Sequence, residues 1–317
     1  MARSPASSAS TASPASIGDA AGDRSLFINL LLSLRPSQWT KNLFVLAALG
    51  FAGRLFQPDS VARATAAFAI FCVLSGIVYL VNDIRDREAD QLHPVKSRRP
   101  IASGVLPVSA ATTAAVVLTT LALAGAFALD VRLGIVGTTY LVLFVLYSFW
   151  LKHLVILDVL TIAIGFVLRA IAGAVAIDVR FSSWLLLLTL LLALFLGLSK
   201  RRAELVTLAD DAKSHRRSLA EYSPYLLDQM IAVVTASTLV AYAFYTISPE
   251  TVEKFKTDHL LYTVPFPLYG IFRYLYLVHQ REGGGNPSEV LLTDRPLLVC
   301  VALWAAMVVA ILYGPWR

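Results

Sequence analysis

Apolar runs of about 18 to 25 residues recur along the whole sequence. A run of that length crosses the roughly 30 Å hydrocarbon core of a bilayer as one α-helix, at about 1.5 Å per residue. Backbone N–H and C=O groups find no partner in lipid, so a helix, which satisfies its own, is the element such a run must form. Nine spans are expected, at about 42–56, 61–82, 107–129, 132–150, 155–177, 182–199, 225–247, 258–279 and 295–314. The first is short, and Pro265 and Pro267 should kink the eighth. Of the 317 residues 57% are hydrophobic and 15% charged, against about a quarter charged in soluble chains. The expected class is an all-α polytopic membrane protein. Cys72 and Cys300 both fall inside apolar runs and read as small buried hydrophobes.

Residues 1–24 are rich in Ser, Ala, Pro, Gly and Thr, cannot bury a core, and are expected to form a disordered tail with no signal-peptide core. Residues 25–317 are expected to form a single transmembrane domain, with 25–34 lying along the interface. Lys and Arg divide unequally between the two sets of span ends, seventeen against seven. The richer set is expected to be cytoplasmic, with the N-terminus inside. That places the chain in a cell (inner) membrane, with the longer loops, about 83–106 and 200–224, on the cytoplasmic side. These loops lie four spans apart, which hints at two four-helix halves. The net charge of +6 is no nucleic-acid signal, because the basic residues sit in short loops between apolar runs.

At the end of the second span stands Val81-Asn82-Asp83-Ile84-Arg85-Asp86-Arg87-Glu88-Ala89-Asp90. Charge of this density at the mouth of a membrane helix is costly near lipid and suggests a site. If the helix runs on, Tyr79, Asn82, Asp83, Asp86 and Asp90 share one face as an oxygen-rich column. Such oxygens suit Mg²⁺, which takes one or two carboxylates and leaves room for water and phosphate. The plain alternative is a solvated helix end in which Asp pairs with Arg.

The loop that follows, His93-Pro94-Val95-Lys96-Ser97-Arg98-Arg99-Pro100, puts base directly after acid, as a Mg²⁺–diphosphate site requires. Pro94 and Pro100 should hold Lys96 in a defined turn, although cytoplasmic loops collect Lys and Arg regardless. The second loop opens Lys200-Arg201-Arg202-Ala203-Glu204, with Lys200 and Glu204 on one face if the sixth helix continues; Asp210 and Asp211 read as a solvated turn. Arg169 lies about 21 Å along the fifth span and must face a cavity or a partner. Either it is an anion-binding arm, or it pairs with an acid such as Asp158 or one of the column. Lys152 is the one basic residue of the tight turn between spans four and five and could reach a phosphate.

Asn82-Asp83-x-x-Asp86-x-x-x-Asp90 followed by Arg99-Pro100-Ile101-x-x-Gly104 closely resembles the first aspartate-rich motif of the UbiA-type intramembrane prenyltransferases. The resemblance covers nearly all of 26–317. It implies nine helices around a central cavity open to the cytoplasm, and Mg²⁺ at Asn82, Asp83, Asp86 and Asp90 binding a diphosphate. Members that prenylate aromatic rings carry a second aspartate-rich motif after span six, where this sequence has Lys200-Arg201-Arg202-Ala203-Glu204. Three other stretches resemble the decaprenyl-phosphate phosphoribosyltransferase branch: Arg35-Pro36-x-Gln38-Trp39-x-Lys41-Asn42, His93-Pro94-x-Lys96-x-x-Arg99-Pro100-Ile101-Ala102-x-Gly104, and Leu168-Arg169-Ala170-Ile171-Ala172-Gly173.

The branch implies transfer of 5-phosphoribose from phosphoribosyl diphosphate to a polyprenyl phosphate. Both substrates are anionic, which fits base in place of a second acid cluster. Under this expectation Asp83 and Asp86 are catalytic, and Lys41, Tyr79, Lys96, Arg98, Lys152, Arg169, Lys200 and Arg201 contact the anionic substrates. The alternative is an aromatic prenyltransferase with a prenyl diphosphate donor. A transporter fits less well, since broken helices are expected in both halves and only the eighth span is strongly interrupted.

Overall fold

The computed structural model describes residues 26–180, 182–208, 219, 221–280, 290 and 293–314. The tail expected at 1–24, the loop residues Asp210, Asp211, Lys213, Arg216 and Arg217, and Arg281 lie outside the described residues. The α-helices run in the order α1 (Leu26–Ser33), α2 (Ala47–Phe51), α3 (Pro58–Arg85), α4 (Arg87–Gln91), α5 (Val108–Leu129), α6 (Val131–Phe149), α7 (Leu157–Ala176), α8 (Ser183–Leu208), α9 (Pro224–Ile247), α10 (Pro249–Phe255), α11 (Pro265–Gln280) and α12 (Arg295–Tyr313). Seven of them are long and apolar enough to cross a membrane: α3, α5, α6, α7, α8, α9 and α12. The chain is an all-helical, polytopic membrane protein.

Seven of the nine expected spans thus take their expected form, and two do not. The first, expected at 42–56, is a ten-residue 3₁₀ segment (Pro36–Val45) followed by the five-residue α2. Its irregular backbone is buried against α3 and α7, where Asn42 and Val45 are fully covered. The approach to α7 is so close that a Cβ on Gly173 would stand 1.8 Å from the Val45 carbonyl oxygen. The eighth is shortened rather than kinked. A 3₁₀ turn (His259–Thr263) precedes α11, which begins at Pro265, where a proline's missing N–H costs no helical hydrogen bond. Ahead of these, α1 exposes Leu26, Phe27, Ile28, Leu31 and Leu32.

Two apolar cores stand side by side. One is built by α3, α5, α6 and α7 around Phe71, Leu74, Tyr140 and Phe144. The other is built by α8, α9, α11 and α12 around Phe195, Leu198, Leu227 and Tyr274. α7 belongs to both, through Ala172 and Ala176 on one side and Val159 on the other. With 28 residues α3 is about 42 Å long, more than the hydrocarbon needs. Its last two turns carry Tyr79, Asn82 and Asp83, while Val81 packs on the first core and Leu80 and Ile84 on Ile101 and Leu106 of the following loop. The helix does not run on through the acidic stretch. It ends at Arg85, and Asp86 (φ −94°, ψ 10°) caps it and opens α4.

Candidate active site

Asp83 is nearly fully buried at the end of α3, and a buried carboxylate must be paired. Two arginines pair it: Arg35 Nη2 at 2.6 Å and Arg99 Nη1 at 3.1 Å. Arg35 comes from the turn before the 3₁₀ segment and lies over the Tyr79 ring, 4.7 Å from its centroid. The same Arg99 nitrogen also reaches Asp90 Oδ2 at 2.5 Å and so bridges the two acids. Asp86, one turn from each, instead takes the Lys152 ammonium on both oxygens, at 2.7 and 2.8 Å. Asp83 and Asp90 thus share Arg99 while Asp86 is held apart by Lys152, and no three Asp, Glu, His or Cys side chains converge on a single point among the described residues. The Asn82 amide, half-buried beside them, has no hydrogen-bond partner among the described residues.

Arg169 is 5% exposed, in the middle of α7. Its partners are neutral, and of the two alternatives for it the acid pair is not formed among the described residues. Nε donates to Asn42 Oδ1 at 2.7 Å, Nη1 to the Gly165 carbonyl at 2.9 Å and Nη2 to the Tyr140 hydroxyl at 2.6 Å. The Tyr140 and Phe166 rings lie 4.9 and 5.2 Å from its guanidinium carbon. Among the described residues no carboxylate pairs with it. Asn42 completes the arrangement by donating Nδ2 to Ser75 Oγ at 3.1 Å. The side chain of the next residue back, Lys41, makes no hydrogen bond or ion pair among the described residues. Burial, then the charges of Arg169 and Arg35, push its pKa down to about 8. A repelled, partly buried ammonium of this kind favours an anion beside it.

The remaining expected contacts separate into two groups. Lys96 and Arg98 lie on a single 3₁₀ turn, Lys96–Arg98, whose entry is fixed by the backbone N–H groups of Val95 and Lys96 donating to His93 Nδ1. Lys200 and Arg201 lie on α8, which does continue: Lys200 meets Glu204 at 3.8 Å, and Arg201 bonds Glu204 at short range. Arg201 is also within 3.5 Å of the fully buried Asp158. Asp158 in turn accepts from the Tyr222 hydroxyl at 2.9 Å. Burial above all, and then Asp158, push the Tyr222 phenol up and keep it protonated. The base-rich start of the second loop is therefore tied into α7, and its acid is already shared by two cations.

Arg35, Arg99, Asn42, Tyr140 and Tyr222 were not expected as site residues. Arg35, Asn42 and Arg99 lie in the motif stretches, and the buried acids nearby required cations. Tyr140 and Tyr222 carry no sequence signal.

Residues 42–293 match the UbiA prenyltransferase family. The chain belongs to that family. Among UbiA members it is 35% identical over 303 residues to the decaprenyl-phosphate phosphoribosyltransferase of Mycolicibacterium smegmatis, covering 92% of this chain and 94% of that one. To the Corynebacterium glutamicum protein of the same name it is 36% identical, covering 92% and 88%. The UbiA homologue from Archaeoglobus fulgidus, solved with GPP and Mg²⁺, superposes with a TM-score of 0.70 at 20% identity, over 90% of this chain and 99% of that one. That likeness establishes the fold.

Proposed function

We propose that this UbiA-family protein transfers 5-phosphoribose from phosphoribosyl diphosphate to a polyprenyl phosphate and releases diphosphate. One observation carries the reading: base stands where an aromatic prenyltransferase would need its second acid cluster. Lys200, Arg201 and Arg202 occupy that place, and its one acid, Glu204, is held by Arg201 and Lys200. Two anionic substrates fit such a mouth, and a neutral aromatic ring does not require it. Likeness to the mycobacterial and corynebacterial phosphoribosyltransferases over nearly the whole chain supports the same choice.

The donor set fits Mg²⁺. Asn82 has an unengaged amide oxygen and Asp86 is partly exposed, which is the one or two protein oxygens that Mg²⁺ uses when phosphates supply the rest. Mg²⁺ bound there would neutralise charge on the departing diphosphate. Asp83 and Asp90 hold Arg99 and Arg35 at the rim, where these cations stabilise the same leaving charge. Lys152 has the length to pass from Asp86 to a phosphate oxygen, and Tyr79, Lys96 and Arg98 would contact the donor's phosphates. Lys41 receives an anionic group at the inner end, with Arg169 adding its field through Asn42.

A phosphate oxygen of the lipid attacks C1 of the ribose, and the C1–O bond to diphosphate breaks. The acceptor is already ionised near neutral pH, so no general base is required. An apolar groove lined by Leu43, Leu46, Phe51, Trp304 and Val308 suits a polyprenyl chain. The excess of Lys and Arg at the ends holding Asp86 supports a cytoplasmic site in a cell membrane, and residues 25–317 act as one domain.

The test is a paired assay on purified protein in lipid. Labelled phosphoribosyl diphosphate with polyprenyl phosphate should give a labelled lipid. Prenyl diphosphate with 4-hydroxybenzoate should give none, and product from the second pair alone would overturn the reading.

A further inference from the structure

The loop joining α6 to α7 carries Lys152 on a 3₁₀ turn, Leu151–His153, and delivers it to Asp86. Four residues on, the chain bends at Ile156 with φ 69° and ψ −47°. The Leu157 N–H donates to the Val155 carbonyl at 2.8 Å, which closes a γ-turn of the rare, strained hand. A β-branched residue is poorly suited to that region. Packing of its side chain does not hold it there, because Ile156 is 51% exposed.

Its backbone, however, is held. The Ile156 N–H donates to the Tyr222 hydroxyl at 2.7 Å, and that hydroxyl donates to Asp158 Oδ1 at 2.9 Å, in the first turn of α7. Tyr222 is 5% exposed, and its ring packs in the core of the other half with Phe195 and Leu198. A single hydroxyl therefore accepts from the strained turn and donates to the helix that follows it.

We propose that Tyr222 is a positioning residue: its hydroxyl pins the strained turn at Ile156 and thereby sets where Lys152 meets Asp86 and the donor's diphosphate. Tyr222 bonds neither Lys152 nor Asp86, and acts through the loop between them. The proposal rests on the substrate reading above. It also links the segment before α9, in the second core, to the acidic column at the end of the first.

Tyr222→Phe keeps the buried ring and removes only the hydroxyl. The KM for phosphoribosyl diphosphate should rise about tenfold, the usual scale for losing a group that orients a ligand-holding side chain, with the KM for the lipid unchanged. Ile156→Gly should behave as wild type alone, since glycine takes positive φ freely, and should restore most of the donor affinity in the Tyr222→Phe background. An unchanged donor KM in Tyr222→Phe overturns the proposal. So does a joint rise of both KM values that Ile156→Gly leaves in place. If Tyr222→Phe does not fold, the double variant is decisive: folded with a wild-type donor KM supports the pin, folded with a raised one overturns it. Thermal stabilisation by Mg²⁺ with inorganic pyrophosphate separates this from the substrate reading. Should wild type make no phosphoribosyl lipid yet be stabilised, only the substrate reading fails. The pin then predicts weaker stabilisation in Tyr222→Phe and its recovery with Ile156→Gly. No stabilisation of wild type overturns both.

Discussion

Lys152 closes its ammonium on both oxygens of Asp86, at 2.7 and 2.8 Å, across 66 residues of sequence. The pair stands at the junction of the loop before α7 with the end of α3, and Lys152 is buried while Asp86 is partly open. Under the proposed reading, movement of Lys152 off Asp86 would make room there for metal and phosphate. Asp83 and Asp90 differ: Arg99 bridges them and Arg35 adds a second contact to Asp83.

Asp86→Asn should therefore remove Mg²⁺-dependent turnover, by about a hundredfold or more, the scale of losing one electrostatic stabiliser of a leaving group. The variant loses the ion pair to Lys152 but keeps the side chain's volume, so folding should persist. Initial rates across a Mg²⁺ titration check this, and retention of most activity would remove Asp86 from the metal assignment.

Arg169→Met tests what the buried guanidinium does. Three of its five N–H donors are taken by Asn42, Gly165 and Tyr140, and removing the side chain leaves the buried Asn42 oxygen without that partner, at about 1–3 kcal/mol. Thermal unfolding in lipid or detergent should show the loss. A variant of wild-type stability that binds no donor would instead mark Arg169 as a direct ligand.

What the sequence disclosed follows from which forces are local. Seven helices were legible because lipid demands apolar length, and length is written in the chain. The 36–51 segment was not, because its irregular backbone depends on burial against α3 and α7, with Gly173 lying against Val45. The acidic column was legible as residue types, yet neither Gly nor Pro marks the break at Asp86. The cations that pair with the column could not be singled out, since the loops between spans gather Lys and Arg in any case. Tyr222 was silent because its two partners lie 66 and 64 residues away.

Gly173→Ala should destabilise the protein. The new Cβ would stand 1.8 Å from the Val45 carbonyl oxygen and 2.8 Å from its carbon, both backbone atoms, so the 3₁₀ segment must move off α7. Overpacking of this kind costs about 1–3 kcal/mol or more. The control is Gly125→Ala, where the nearest atom, Ile70 Cδ1, is 3.9 Å away and little change is expected. Melting temperatures of the two variants in one lipid decide the matter, and equal values would mean that the contact yields freely. Because the segment carries Lys41, a rise in substrate KM should accompany the loss of stability.

Lys41 should set an alkaline limit on substrate capture. Its pKa lies at about 8 in the folded protein against 10.5 for the free side chain. Below pH 8 it is charged and offers the pocket an ammonium; above pH 8 the free enzyme loses that charge. kcat/KM, which reports groups of the free enzyme, should then fall as pH rises through about 8, approaching tenfold per unit where binding requires the charge. The kcat limb should lie at higher pH, because a bound phosphate favours the charged form. Stability should move the opposite way. The unfolded chain binds the extra proton between pH 8 and 10.5, so Lys41's contribution to stability rises with pH across that window and is lowest below it. Lys41→Met should lower kcat/KM and abolish the alkaline limb, while Lys41→Arg should keep the charge and shift the limb out of range. A limb near pH 8 that persists in Lys41→Met would assign the titration to another group.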